Sequence, residues 1–449
     1  MSAPRLLGCF ALAVIATATT RAAETLPRYH FQPGQELTFR WVNEFKYGEG
    51  ENAGAHGTKA DWTVWVLRAN ADGSYRLVLR EKSVFSQTHG KDKHEQPAQT
   101  QVVYADVFPD GRVTMNKSIQ YRNHPEAIFP PLPANAVEAK AGWKSIRDDT
   151  TATYTPVENN VLVFDRVSES PFNKIYLSTS KARQTFDISK GFVTRIESED
   201  TQGYGFNGKG TGKLELVDIK TADPEKMKEF AAAADKYFAA TAAYDEKTEA
   251  GSKAKPDEAM TLLAKAVAEL KTAEKDLTQP DFKADLAERV KRHEQMEKYY
   301  LDSAERRAQV LGKPAADFDT TDINGKKVKL SDLRGQVVVL DFWYRGCGWC
   351  IKAMPQMNQL ADDFAGKPVA ILGMNTDRKE DDAKFVIDKM GLKYGTLKAE
   401  GLPEKFGVQG FPTLIIIDPR GNVADIHVGY SPTLREDVGK VIRDLLAKQ

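Results

Sequence analysis

The run Val337-Val338-Val339-Leu340-Asp341-Phe342-Trp343, followed by Tyr344-Arg345-Gly346 and then Cys347-Gly348-Trp349-Cys350, decides how the C-terminal part of this chain folds. Val337 to Asp341 has the unbroken apolar character of a buried strand, and the residues after Cys350 carry helical spacing toward Phe364. A cysteine at such a strand-to-helix junction meets unpaired backbone N–H groups and the positive end of the helix dipole. Both favour thiolate over thiol. Two intervening residues set Cys350 one helical turn further on, close enough for a disulfide to form and reopen. Metal binding is the competing reading of the spacing. It fails on ligand count, because the chain has no second Cys-x-x-Cys or Cys/His pair, and His427 is the one histidine in this region. The pair is therefore read as redox-active, with no metal.

Further runs complete the pattern. Val369-Ala370-Ile371-Leu372, Thr413 to Ile417 and Val423 to Val428 read as strands. Stretches near Met354 to Phe364, Asp381 to Met390 and Leu434 to Ala447 read as helices. Strand alternating with helix predicts an α/β sheet from Gly312 onward.

The third cysteine, Cys9, falls in an uncharged apolar run from Leu6 to Ala18 that follows Arg5 and precedes Thr20-Arg21-Ala22. A short basic start, an apolar core and small residues before a cut describe a secretory signal over 1–23. The run is shorter than the roughly 18–20 residues a spanning helix needs, so no permanent membrane span is expected. Leu6-Leu7-Gly8-Cys9 has the letters of a lipid-attachment site but precedes the apolar run, so lipidation is not expected. The reading places the protein in the periplasm or outside the cell. Without Cys9, only Cys347 and Cys350 remain. Closing so short a loop constrains the unfolded chain little, which again argues for a reactive pair over a structural one.

At 449 residues the chain is long enough for two to four domains, and 41% apolar with 28% charged residues is an ordinary globular balance. Lys+Arg and Asp+Glu both number 63, so bulk charge gives no reason to expect a nucleic acid partner. Three textures divide a multidomain chain. Residues 24–222 carry alternating segments such as Leu37 to Trp41, Trp62 to Val66, Tyr75 to Leu79 and Val161 to Phe164. Ala71-Asp72-Gly73-Ser74 and Pro109-Asp110-Gly111-Arg112 are hairpin signals between them. An antiparallel β domain follows, as a sandwich or an open barrel. His89 and His94 flank Lys91-Asp92-Lys93 and read as a charged hairpin tip rather than a metal site. Residues 223–310 read as an α-helical spacer. Asp223-Pro224-Glu225 and Gln279-Pro280-Asp281 are helix starts, a polar break runs from Glu249 to Pro256, and Met227, Phe230, Tyr237, Met260, Leu263, Leu270, Leu286, Val290 and Met296 keep helical spacing. Residues 311–449 hold the α/β part.

That last part resembles thioredoxin. Asp341-Phe342-Trp343 precedes Cys347-x-x-Cys350 at the family's spacing, Pro355 stands where its helix kinks, and Gly410-Phe411-Pro412-Thr413 is similar to its cis-proline loop. Gly312-Lys313-Pro314-Ala315-Ala316-Asp317-Phe318, Val328 to Gly335 and Asp418-Pro419-Arg420-Gly421-Asn422 narrow the likeness to the TlpA/ResA-like extracytoplasmic proteins related to peroxiredoxins. The peroxiredoxin Pro-x-x-x-Thr-x-x-Cys pocket is missing, so a peroxidase is not expected. Trp349 stands where thioredoxin has proline, which leaves the direction of exchange open.

The resemblance implies a thiol–disulfide oxidoreductase, most naturally a reductase of protein disulfides. Cys347 would attack the substrate disulfide, and Cys350 would resolve the mixed disulfide with Asp341 taking its proton. Trp349, Phe411, Pro412 and Thr413 would face the substrate. It implies a disulfide-containing protein substrate and a membrane-bound thiol–disulfide electron donor. No Gly-x-Gly-x-x-Gly or flavin signature is present, so no cofactor is expected. The alternatives are a disulfide oxidase or isomerase, or a binding protein whose β domain does the work and whose thioredoxin-like part is an appendage.

Overall fold

The computed structural model describes residues 26–50, 53–115, 128–147, 150–158, 162–204 and 207–448. The expected signal segment 1–23, with Cys9, lies outside the described residues.

The N-terminal part is one antiparallel sheet. Its first half holds β1 (Gln35–Tyr47), β2 (Gly54–Ala69), β3 (Tyr75–His89), β4 (Asp92–Glu95), β5 (Gln99–Val107) and β6 (Val113–Met115). After α1 (Ala136–Ala141) come β7 (Trp143–Arg147), β8 (Thr150–Glu158) and β9 (Leu162–Glu169). After α2 (Pro171–Tyr176) come β10 (Thr179–Asp187), β11 (Phe192–Gln202) and β12 (Gly208–Thr221). The spatial order is β6-β5-β3-β2-β1-β12-β11-β10-β9-β8-β7, with β4 paired to β3 alone. Two meanders are thus joined by the pairing of β1 with β12, where Trp41 lies opposite Leu214. Both Asp-Gly segments turn the chain as expected, the first between β2 and β3 and the second between β5 and β6. His89 and His94 lie at the exposed β3–β4 tip.

Strand alternation explains the core. Leu37 and Phe39, Trp62 and Val64, Leu77 and Leu79, and Val103 and Ala105 point to one side, where they meet Trp143, Tyr154, Phe164, Phe186, Phe192 and Leu214 from the other half. One cluster shared by both halves requires the sheet to curl over itself. It is therefore a single curved sheet with β6 and β7 as its edges, not a sandwich of two sheets.

The helices are α3 (Pro224–Lys253), α4 (Pro256–Asp276) and α5 (Pro280–Val310), each with proline in its first turn. They lie against the outer face of the sheet's first half. Val78 and Val102, with Trp65, Leu67 and Tyr104, pack on Ala234, Tyr237, Phe238, Leu270, Phe282 and Leu286. Strands β2, β3 and β5 are thus covered on both faces. Met260 and Met296 are exposed. In α4 the buried stripe runs through Ala259, Leu263, Ala266 and Leu270, so Met260 sits one residue, about 100°, off it. In α5 the stripe runs through Phe282, Leu286, Val290 and His293, and Met296 falls in the exposed run that follows it. Inside the bundle the Tyr237 hydroxyl donates to Asp285 at 2.5 Å, and Arg289 Nε donates to the same carboxylate at 2.6 Å. Asp223 caps α3, its Oδ1 accepting from the backbone N–H groups of Glu225 and Lys226 at 3.1 Å each. We expect Asp223→Ala to lower stability by about 1 kcal/mol in denaturant unfolding followed by the helical signal. An unchanged midpoint would show that the cap is replaced by water at no cost.

The C-terminal part begins with β13 (Asp319–Thr321) and β14 (Lys327–Lys329), a small hairpin. It continues with β15 (Val337–Trp343), α6 (Gly348–Asp363), β16 (Val369–Asn375), α7 (Glu380–Met390), β17 (Gly395–Lys398), α8 (Leu402–Lys405), β18 (Thr413–Ile417), β19 (Val423–Val428) and α9 (Leu434–Leu446). The sheet order is β17-β16-β15-β18-β19, with β15 parallel to β16 and antiparallel to β18. All of β15 is buried. Val337 and Val339 join Ala353, Met357, Leu360, Val438 and Ile442 on one face. Val338, Leu340 and Phe342 join Phe318, Leu397, Phe406 and Ile415 on the other. A central strand covered on both faces has no polar side to show, which accounts for its continuous apolar run. This is the thioredoxin-like arrangement. Asp418 to Asn422 closes the β18–β19 hairpin, with the Gly421 N–H on the Asp418 carbonyl at 2.8 Å. Among the described residues no helix is long and apolar enough to cross a membrane.

Candidate functional site

The end of β15 turns through Tyr344, Arg345 and Gly346 into α6, and Cys347 is the cap of that helix. Its Sγ accepts from the Cys350 N–H at 3.1 Å, and the two cysteines are joined as a disulfide with Cα atoms 5.2 Å apart. The strand ends at Trp343 because the chain turns through Arg345 and Gly346, with the Cys347 N–H on the Tyr344 carbonyl at 3.0 Å, and the helix starts because the Cys347 side chain satisfies one of its first free N–H groups. Pro355 lies inside α6, as the sequence comparison with thioredoxin implied. Cys347 is only 6% exposed and Cys350 2%. They share one apolar cluster with Trp343, Ile351, Met354, Ala383 and Val386, together with Ile175 and Tyr176 from α2.

Asp341 points to the face of β15 that also carries Val339 and Trp343, the face α6 covers. It is buried, and the Tyr394 hydroxyl donates to its Oδ2 at 3.0 Å. Burial pushes the carboxyl up to about 7, and the Tyr394 hydrogen bond opposes that rise in part. Tyr394 itself is driven well above the ordinary tyrosine range by burial and by the neighbouring carboxylate. A carboxyl that exchanges its proton near neutral pH is matched to work as an acid or base there.

The Phe411–Pro412 peptide is cis. Phe411 packs against the cysteine cluster, and its ring meets Tyr344 edge-on at 5.2 Å. Pro412 and Thr413 are buried, and the Thr413 hydroxyl donates to the Gly410 carbonyl at 2.8 Å within the same loop. Trp349 stands apart from this cluster. It is half exposed and stacks on Tyr430 at 5.7 Å, with Lys352 Nζ 4.8 Å from the Tyr430 ring centre. The structure therefore brings Cys347, Cys350 and Phe411 together, holds Asp341 under the same helix face, and sets Trp349 at the rim.

Several residues here carry no sequence signal of their own. Tyr394 precedes a four-residue strand and fits no motif. Tyr430 follows β19 in the irregular stretch that leads to α9. Ile175 and Tyr176 lie 172 and 171 positions upstream of Cys347, and no local pattern ties them to it. Arg345 is anchored from both sides: its guanidinium binds Asp382 at 2.8 Å and the Ile175 carbonyl at 3.4 Å, between the rings of Tyr204 and Phe385. Elsewhere, a groove of about 1350 Å³ on the first sheet is lined by Lys59, Lys181, Arg183 and Lys213 together with Glu197 and Glu199, a mixed-charge surface.

The model of the AhpC/TSA family matches residues 311–426. The thiol-disulfide oxidoreductase ResA of Bacillus thuringiensis (strain Al Hakam) is 34% identical over 128 residues, 28% of this chain and 74% of its own length. The thioredoxin-like protein YneN of Bacillus subtilis (strain 168) is 32% identical over 122 residues, 26% of this chain and 71% of its own length. Among solved structures, the thioredoxin domain of a thiol-disulfide oxidoreductase from Bacteroides vulgatus is 29% identical, covering 30% of this chain and 98% of that one at a TM-score of 0.28. All of these matches span about a third of the chain or less. Through its C-terminal part, the chain belongs to the AhpC/TSA-related ResA group of thiol–disulfide oxidoreductases, and it is an oxidoreductase.

Proposed function

We propose that the protein is an exported reductase of protein disulfides, with Cys347 as nucleophile and Cys350 as resolving thiol. The observation that carries this reading is a cysteine capping α6, its Sγ on the Cys350 N–H, above a buried carboxyl that titrates near 7. In the dithiol form, the Cys347 thiolate attacks one sulfur of the substrate disulfide. A mixed disulfide forms, and the other substrate sulfur leaves as a thiolate that takes up a proton. Cys350 gives its proton to the Asp341 carboxylate and attacks Cys347 Sγ. The mixed disulfide breaks, the second substrate thiol leaves, and the Cys347–Cys350 disulfide remains. Two electrons have passed to the substrate, so an external dithiol must restore the enzyme. A membrane-bound thiol–disulfide carrier fits that need.

The reading of a reducing direction is supported by what surrounds the sulfurs. A strong oxidant needs a well-stabilised thiolate. Here the cysteines sit among apolar side chains, and the nearby Arg345 cation is already bound to Asp382. The helix N-terminus alone, with no free cation beside the sulfurs among the described residues, stabilises the thiolate less than a strong oxidant needs, which favours a reductant. Export is supported by Arg5, the apolar run Leu6 to Ala18 and the redox use of the cysteines. Residues 24–222, 223–310 and 311–449 would act as sheet, helical and redox units, with Trp349, Phe411, Pro412 and Thr413 around the incoming chain. The groove on the sheet favours a second role, holding the substrate protein away from the cysteines. The test is a trap. Cys350→Ser in the full chain, reduced and mixed with a disulfide-bonded protein, should accumulate a covalent adduct through Cys347 that dithiothreitol releases. No adduct by non-reducing gel and mass spectrometry would rule the mechanism out.

A further inference from the structure

Part of the wall of the cysteine site comes from the first sheet. Helix α2 leaves the sheet between β9 and β10 and reaches the redox site with three kinds of contact. Ile175 is fully buried in the cysteine cluster, beside Tyr176. The Tyr176 hydroxyl donates to the Arg345 carbonyl at 3.3 Å, and Arg345 returns a bond to the Ile175 carbonyl. The Phe172 ring stacks on Tyr176 at 4.2 Å and lies so close over Gly348 that a Cβ there would fall 3.1 Å from it.

The helix is held in this place by its own sequence. Ser170 caps it, Pro171 starts it, and Leu177 ends it at φ +51°, the one non-glycine residue with positive φ among the described residues. A leucine in the left-handed region is costly, and such strain persists where the surrounding structure fixes it, commonly at working sites. The result is a cysteine with little exposed surface and three exposed aromatics nearby: Phe172 over Gly348, Tyr344 against Phe411, and Trp349 between the two cysteines in sequence.

We propose that α2 is the access-limiting wall of the redox site and that Phe172 is its specificity-determining residue, so that the substrate is an extended polypeptide whose disulfide is flanked by aromatic side chains. The inference rests on the proposed role of Cys347. A wall of this kind excludes a disulfide buried in a flat protein surface, because the strand carrying it must pass the α2 side chains packed on the cysteine cluster to reach Cys347. Aromatic flanks are favoured because the exposed rings of Phe172, Tyr344 and Trp349 offer offset or edge-on partners.

The test uses the full chain, reduced, with Phe172→Ala and, from the other side of the same contact, Gly348→Ala. Phe172 is itself exposed, so its truncation leaves no cavity in a core. The rate of Cys347 alkylation by iodoacetamide should rise about tenfold in Phe172→Ala, with a smaller rise in Gly348→Ala. For two synthetic peptide disulfides, one flanked by phenylalanine and one by serine, the wild type should show the lower KM for the first, and Phe172→Ala should lose that difference with kcat little changed. Equal alkylation rates and equal KM ratios in all three proteins would overturn the wall while leaving the redox mechanism standing. If Cys347 of the folded wild type neither alkylates nor reduces either peptide, the redox mechanism fails and the proposal falls with it.

Discussion

Cys347→Ser should abolish disulfide reduction, with a loss of about a thousandfold or more in the rate measured on a protein disulfide with excess dithiol. The hydroxyl that replaces the thiol cannot form the mixed disulfide, and Cys350 is buried behind it and cannot substitute as the attacking group. The fold should survive, because serine is nearly isosteric and the cap of α6 can be made by its hydroxyl. Substantial residual activity would mean that another group does the chemistry. Among the described residues the only cysteines are Cys347 and Cys350.

Asp341→Asn should change stability with a definite sign in pH. The folded carboxyl titrates at about 7, against an ordinary value of 3.8. Below pH 4 both folded and unfolded forms hold the proton, and the group costs nothing. Between pH 4 and 7 the unfolded chain loses the proton while the folded chain keeps it, so stability falls as pH rises. Above about pH 8 the full cost is present, roughly 4 kcal/mol for about three pH units. Asparagine cannot ionise. The variant should therefore match the wild type near pH 4 and exceed it by roughly that amount at pH 8 in denaturant unfolding. Its exchange should meanwhile slow by about a hundredfold, and the rise of rate with pH through about 7 should vanish, because the proton acceptor is gone. Tyr394→Phe removes the hydrogen bond that favours the ionised form, so the same inflection should move to higher pH. A stability gain without any kinetic loss would make Asp341 a burial cost with no catalytic part.

The redox site is legible in the sequence where one element carries it. The strand, the turn and the capping cysteine are contiguous, so Val337 to Cys350 announces both fold and chemistry. Pro412 was identifiable because a short motif surrounds it. Tyr394 and Tyr176 were not, because they reach the site through tertiary packing, and a lone tyrosine before a short strand or in a six-residue helix has no period to read. The same limit governs the N-terminal part. Alternation reveals strands such as Leu37 to Trp41, but whether two faces meet in one curled sheet or in two layers depends on pairings between residues as distant as Trp41 and Leu214. Val78 and Val102 carry a hint in hindsight: they break the alternation because α3 and α5 cover the outer face of the sheet.

The most direct test of the account is an equilibrium redox titration of the full chain, followed by the fluorescence of the buried Trp343 beside the cysteines and of the exposed Trp349 between them. The account predicts a single reversible two-electron transition with a midpoint near or below about −230 mV, lost in Cys347→Ser. A midpoint near about −120 to −180 mV would reverse the direction of exchange and make the protein an oxidase or isomerase. No reversible transition at all would contradict the redox mechanism itself.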